Sequence, residues 1–253
     1  MNGFAKHNLG HTSPSQLNMW ADAPCAWVAK YLYSKKFPFG VAAQVGVQTE
    51  KVVEEVLCGR SFAEALEDAQ KHFTKYNALN PSEKDRARVE DIKYMADQVL
   101  EILRPYGEPE FIKGINGHSQ QRIELKCNGP DWELPIIGYL DFVYPKHGLV
   151  IDLKTTMRCP SIMSRPHQRQ AAVYSKAKGN MGVKFLYCTP KKSALLEVDD
   201  ENDVLDEVKQ ILIRQERFLK LHDKETIKDI IPINSSSFYW DGAEGVRKEM
   251  YGV

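Results

Sequence analysis

Two apolar runs, PIIGYLDFVY at 135–144 and LVIDLKTT at 149–156, flank the turn-forming tetrapeptide Pro145–Gly148. Their composition is that of strands, and the turn residues between them predict a β-hairpin. Three ionisable side chains, Asp141, Asp152 and Lys154, interrupt these otherwise apolar runs. If the hairpin is symmetric about its turn, Tyr144 pairs with Leu149 and Asp141 falls opposite Asp152, where directly opposed β-carbons lie roughly 4.5–5.5 Å apart. Two carboxylates at that separation repel unless one is protonated or a cation lies between them. Because strand side chains alternate, Lys154 shares the face of Asp152, while Ile151, Leu153 and Thr155 point the other way into packing.

A divalent cation is the economical partner for two opposed carboxylates. Oxygen ligands suit hard Mg²⁺, with Mn²⁺ as substitute, and such an ion can polarise a phosphate and lower the pKa of a bound water. Lys154 would then hold the attacking water or stabilise a pentavalent phosphate. An isolated D-x-K is more often a plain Asp–Lys salt bridge on a solvated sheet face. The spacing to Asp141 and the apolar flanks argue for a reactive site.

The rest of the chain supplies a frame for this hairpin. The N-terminal stretch TSPSQLNMWADAPCAWVAKYLY reads as helical and is broken in two by Pro24. Further helices are predicted over 43–57, from Ser61, and over 81–103, where Pro105 and Gly107 end the pattern. Residues 119–127 (SQQRIELKC) add a strand to form a meander, and PHQRQAAVYSKAKGN forms a helix between the D-x-K strand and an apolar strand at 184–188. Strand, helix, strand in that order predicts a crossover with parallel strands. A last helix spans about 200–221. With no internal repeat or low-complexity segment, the expectation is one domain over 1–253: a helical part at 1–105, a sheet core at 106–198 and a C-terminal helix and tail at 199–253. The fold class is α/β, a mixed sheet embraced by helices from both ends of the chain.

Bulk properties narrow the function. Lys+Arg and Asp+Glu number 34 each, so any nucleic-acid contact must come from a local patch or through metal. The five cysteines are scattered and never form a C-x-x-C pair, which points to reduced thiols rather than disulfides or a zinc site. No G-x-x-x-x-G-K-[ST] motif occurs, so no bound nucleotide is expected. The chain shows neither a spanning apolar run nor a signal-peptide pattern, so the expectation is a cytoplasmic protein without a membrane partner.

The succession G-x-x-D (Gly138 to Asp141), I-D-x-K-T (Ile151 to Thr155) and Q-x-x-x-Y (Gln170 to Tyr174) resembles the RecB-like branch of the PD-(D/E)XK nuclease superfamily, which includes phage exonucleases. Upstream, S-x-S-x-L (Ser13, Ser15, Leu17) followed by Cys25 is similar to the opening helix of that branch. G-x-x-x-E (Gly46, Glu50) stands where the branch has its first acidic or His motif, in the form of the phage exonucleases. The resemblance implies a restriction-endonuclease-like core, with Asp141, Asp152 and Lys154 as catalytic residues. It implies that Glu50, Asp141, Asp152 and the Leu153 carbonyl are metal ligands, with Glu54 the competitor one turn beyond Glu50. Gln170 and Tyr174, four apart on one helical face, would contact DNA phosphate or orient Lys154. Arg158, Arg165 and Arg169 cluster near the same strand and helix and are candidate phosphate contacts. Relatives with an iron–sulfur cluster carry three grouped C-terminal cysteines; here the last cysteine is Cys188, so no cluster is expected.

These features predict a Mg²⁺-dependent DNA exonuclease that processes DNA ends in phage-type recombination or replication. Its candidate partners are DNA, a single-strand annealing recombinase and further copies of the same chain. Two alternatives stay open: a structure-specific or single-strand endonuclease of the same fold, and a catalytically silent domain that only binds DNA or protein.

Overall fold

A computed structural model describes residues 2–110, 120–129, 132–198 and 201–253. The described strands form two sheets. β1 (Gln121–Asn128) and β2 (Glu133–Leu140) make an antiparallel hairpin. β3 (Phe142–Tyr144), β4 (Leu149–Thr155), β5 (Gly182–Cys188) and β6 (Ser193–Glu197) make a second sheet in that order. Within it β3 and β4 are antiparallel, β4 and β5 parallel, and β5 and β6 antiparallel. The parallel step is made by the Arg165–Ala177 helix, the crossover predicted from the sequence. The result is the expected α/β architecture, a mixed sheet flanked by helices.

Alternation along β4 separates two cores. Val150 joins Val143, Val183 and Phe185 beneath the Pro14–Asp22, Arg165–Ala177 and Glu201–Leu221 helices. Ile151 and Leu153 face the other way, against the Val41–Leu57, Phe62–Tyr76 and Val89–Leu103 helices. A strand covered on both sides reads as a nearly continuous apolar run. Asp152, only 1% exposed in the middle of that run, is therefore the anomaly of the sheet.

The segment predicted as one strand over 135–144 is two strands in two sheets. β2 is paired along its length with β1, and β3 with β4. Serving both partners requires a bend, and it falls at Asp141. The hairpin register is the symmetric one, with Tyr144 opposite Leu149 and Phe142 opposite Ile151, but pairing stops one residue short of Asp141. The helix expected over 81–103 is also two pieces, Glu83–Arg86 and Val89–Leu103. Ser82 caps the first by accepting a hydrogen bond from Asp85 N at 3.2 Å, and Arg88, with ψ near −4°, separates it from the second. Strand β6 was not anticipated; it is a short edge of five half-buried or exposed residues. The start of the first expected strand at Ser119, and of the last expected helix at about 200, lie outside the described residues.

Two glycines let helices close on the sheet. A β-carbon at Gly46 would sit 2.7 Å from Thr155 Oγ1, so the Val41–Leu57 helix approaches the end of β4 only with glycine there. A β-carbon at Gly138 would sit 2.5 Å from Tyr174 Cε1, so β2 passes under the Arg165–Ala177 helix on the same condition. The Pro14–Asp22 helix is tied to β2 just before it begins. Thr12 N donates to Pro135 O at 2.9 Å and Ile137 N donates to Thr12 O at 2.8 Å. No helix among the described residues is long and apolar enough to cross a membrane.

Candidate active site

The bend at Asp141 opens a notch at the edge of β4. Beyond Ile151 the β3 backbone has turned away, so the Leu153 N–H has no β3 partner. The Asp141 carboxylate takes its place: Leu153 N donates to Asp141 Oδ2 at 2.8 Å. The N–H and C=O of one strand residue point to the same side, so the Leu153 carbonyl faces the same notch. The Gln120 amide donates to Asp141 Oδ1 at 2.9 Å and also to Glu50 Oε1. Glu50 thus arrives from the helical layer on the far face of β4, while Asp141 belongs to the sheet.

Asp152 lies on the opposite face of β4 from Ile151 and Leu153. Gln170 Nε2 donates to Asp152 Oδ2 and to the Tyr174 hydroxyl, each at 2.9 Å. The other oxygen of Asp152 makes an ion pair with Lys154 Nζ. Beneath that ammonium lies the Phe185 ring, its centroid 5.2 Å away, because the parallel register sets Phe185 beside Asp152 on β5. Glu50, Gln120, Asp141, Asp152, Lys154 and Gln170 all line one cavity of about 530 Å³.

The cavity is electrostatically loaded. Burial pushes the Asp141 carboxyl well above the usual carboxylate range, and the neighbouring charges of Asp152 and Glu50 push it further. Burial also raises Asp152, with Lys154 opposing, and raises Glu50, with the Gln120 hydrogen bond opposing. Burial alone would lower the Lys154 ammonium, yet Asp152 and Asp141 hold it above its ordinary value, so it stays charged. Burial and the same two carboxylates keep the Tyr174 phenol protonated. Among the described residues, the acidic cluster is therefore short of positive charge.

A model of the PD-(D/E)XK nuclease superfamily matches residues 11–232 of the chain. The chain belongs to that superfamily. No curated protein matches it. A solved structure described as "Crystal structure of SSO0001" is similar at 16% identity, over 67% of this chain and 85% of that one. Its TM-score of 0.36 is too low for any argument to rest on the likeness.

In this nuclease the arginines grouped by sequence separate in space. Arg165 and Arg169 both bind Glu207 on the Glu201–Leu221 helix. Arg169, 9% exposed, also donates to Asn18 Oδ1 at 3.1 Å and faces Asp22 at 3.8 Å. Neither arginine lines the cavity. Arg158 is exposed on the loop after β4 and takes no part in that network. Arg169→Ala removes a buried charge that joins three helices and leaves Asn18 short of a partner. It is expected to destabilise the protein by about 1–3 kcal/mol. Denaturant unfolding should show that loss, and an unchanged midpoint would return Arg169 to the surface.

Gln120 is a cavity residue that sequence reasoning missed. A signal was present: Asn128-Gly-Pro-Asp is a turn sequence, and the observed pairing of Gln121 with Leu140 extends to set Gln120 opposite Asp141. His11, Ser13, Ser15 and Gln16, at the start of the Pro14–Asp22 helix, also line the cavity. Ser13 caps that helix by accepting from Gln16 N at 3.2 Å. Glu54, one turn past Glu50, does not line the cavity; burial and the charges of Glu50 and Glu55 push it up to about 7.

Proposed function

We propose that the protein is a metal-dependent DNA exonuclease that hydrolyses phosphodiester bonds and processes DNA ends in phage-type recombination or replication. The observation that carries this reading is the convergence of Glu50, Asp141, Asp152 and Lys154 on one cavity, in a member of a nuclease superfamily. Among the described residues, no three acidic, His or Cys side chains are drawn together as a finished metal site. The Gln120 amide spans Glu50 and Asp141, and the Lys154 ammonium rests on Asp152. The donors nevertheless suit a hard divalent ion. All are oxygens, and the buried Asp152 Oδ1 has the Lys154 ammonium as its partner, so this oxygen already faces a cation.

Glu50, Asp141, Asp152 and the Leu153 carbonyl would hold Mg²⁺, with Mn²⁺ as substitute. When bound, the ion polarises the phosphate and lowers the pKa of a coordinated water. Lys154 presents a charged ammonium to the same space, where it can donate to the attacking water and to the phosphate oxygens as their charge grows. Gln170 fixes one Asp152 oxygen and the Tyr174 hydroxyl at once, so the Asp152 carboxylate cannot rotate freely. The start of the Pro14–Asp22 helix lines the cavity wall, and the positive end of its dipole favours a phosphate there. A single-strand annealing recombinase and further copies of the same chain are the partners proposed for this role.

The test is incubation of the purified protein with end-labelled linear DNA and with covalently closed circular DNA, each with Mg²⁺. Shortening of linear DNA with the circle intact is the expected result. Cutting of the circle at a comparable rate would replace the exonuclease reading with an endonuclease one, and no cleavage of either would indicate a silent domain.

A further inference from the structure

Downstream of the cavity, β4 and β5 end side by side. Thr156 N donates to Cys188 O at 2.9 Å, carrying the pairing one residue past β4. The chain then enters two turns, each locked by a threonine. Thr156 Oγ1 accepts from Arg158 N at 3.3 Å and donates to Arg158 O at 3.2 Å. Thr189 Oγ1 accepts from Lys191 N and Lys192 N at 3.2 and 3.0 Å and donates to Lys192 O at 2.8 Å. Gln98 Nε2 adds a bond to Thr189 O at 2.9 Å. Between these turns lies a second groove, of about 730 Å³, lined by Met157, Arg158, Ile162, Thr189, Lys191 and Lys192 among others.

Three cations on two rigid turns face one groove. Arg158, Lys191 and Lys192 are exposed, and among the described residues none of their side chains has an ion-pair or hydrogen-bond partner. That contrasts with Arg165 and Arg169, whose charge is absorbed by Glu207. In a chain with no net charge, an uncompensated cluster of this kind is a local field for an anion. It lies close to the proposed chemistry. Arg158 is four residues past Lys154, so their Cα atoms are at most about 14 Å apart. The groove is not purely polar, since Met157 and Ile162 stand 63% and 78% exposed within it. In a duplex, side chains of this kind reach base faces only by wedging between stacked steps and kinking the helix, whereas a single strand leaves those faces open without that cost.

We propose that this groove binds a single-stranded DNA segment next to the site of cleavage. Arg158, Lys191 and Lys192 hold successive phosphates, and Met157 and Ile162 contact the bases. The proposal rests on the reading of the protein as a DNA nuclease and names the form of DNA that it holds beside the cavity.

The experiment is equilibrium binding of the full chain, in chelator, to a labelled single strand and to a blunt duplex of the same length, over a series of salt concentrations. The combined variant Arg158→Ala, Lys191→Ala, Lys192→Ala should weaken single-strand binding about tenfold or more. It should also flatten the slope of log K against log salt by about 2, from three phosphate contacts at roughly 0.7 each. Met157→Ser with Ile162→Ser should weaken single-strand binding with the slope unchanged and the duplex affinity intact. All five positions are exposed or on turns held by other groups, and equal melting temperatures check that the variants fold. Unchanged single-strand affinity and slope in the triple variant would overturn the proposal and leave the groove as a surface for a protein partner. Equal losses on single strand and duplex in the apolar variant would overturn the single-strand assignment. If the wild type fails to cut DNA with Mg²⁺ but the triple variant still loses single-strand affinity, the groove stands and the nuclease reading falls.

Discussion

Lys154→Ala is expected to lower DNA cleavage by about 10²–10³-fold or more, the usual loss when a charge-stabilising donor is removed from a reacting centre. DNA affinity should be little changed. The ammonium sits in the cavity against Asp152 and above the Phe185 ring, held charged by Asp152 and Asp141. It is therefore a fixed positive charge where a phosphate would gain negative charge, and alanine puts nothing in its place. The substitution also frees Asp152 Oδ1 from the Lys154 ammonium, so metal binding should be no weaker than in the wild type. Single-turnover cleavage, DNA binding in chelator and a metal titration separate these effects. Cleavage at a near wild-type rate would make Lys154 a structural ion pair and nothing more.

The second large effect is on metal. Cleavage should vanish in EDTA and return with Mg²⁺ or Mn²⁺, and full activity in chelator would remove the mechanism. The same ion should stabilise the fold, because among the described residues the buried carboxylates outnumber the one ammonium, Lys154, that shares their cavity. At ten times its dissociation constant a ligand contributes about 1.4 kcal/mol, which for a chain of this length raises Tm by roughly 3–5 °C. The shift should grow with pH. Asp141, Asp152 and Glu50 have folded-state values above the ordinary carboxylate range. In the metal-free protein their contribution is fully present below the unfolded-state values and is lost as pH rises through the raised ones. Above that window the cation replaces the missing protons. Glu50→Gln should require more metal for the same shift, whereas Glu54→Gln, which is outside the cavity, should not. The reverse result would move the ligand one turn along the helix.

Much of this arrangement was legible in the sequence because strand periodicity is strict. The alternation around Asp152 separated Lys154 from Ile151 and Leu153, and the Pro145–Gly148 turn set the register from Tyr144 to Phe142. The Q-x-x-x-Y spacing placed Gln170 and Tyr174 on one helical face, and they share a hydrogen bond. What a linear reading could not supply was the competition between neighbours. β2 and β3 were read as one strand, because nothing local shows that one is claimed by β1 and the other by β4. Arg165 and Arg169 were grouped with Arg158 as candidate phosphate contacts because Glu207, some forty residues on, is adjacent only in three dimensions. Gln120 escaped notice because an uncharged amide before a strand has no pattern of its own; its place depends on the register of a hairpin closed far downstream.

The hydrogen bond from Leu153 N to Asp141 has a consequence for how this sequence can change over generations. Asp141 occupies a seat that belongs to the backbone ladder: its carboxylate stands in for the strand oxygen that the bend took away. A lineage released from selection for cleavage could let Lys154 drift, and could neutralise Asp152 with little penalty, since neither closes the sheet. Position 141 would not share that freedom. An acceptor there is required by the architecture whether or not a phosphodiester is ever cut, so Asp would be exchanged for Asn long before it gave way to an apolar residue. In descendants of this fold that have lost catalysis, the surviving acidic or amide residue at the bend would be a relic of geometry, and its persistence would say nothing about activity.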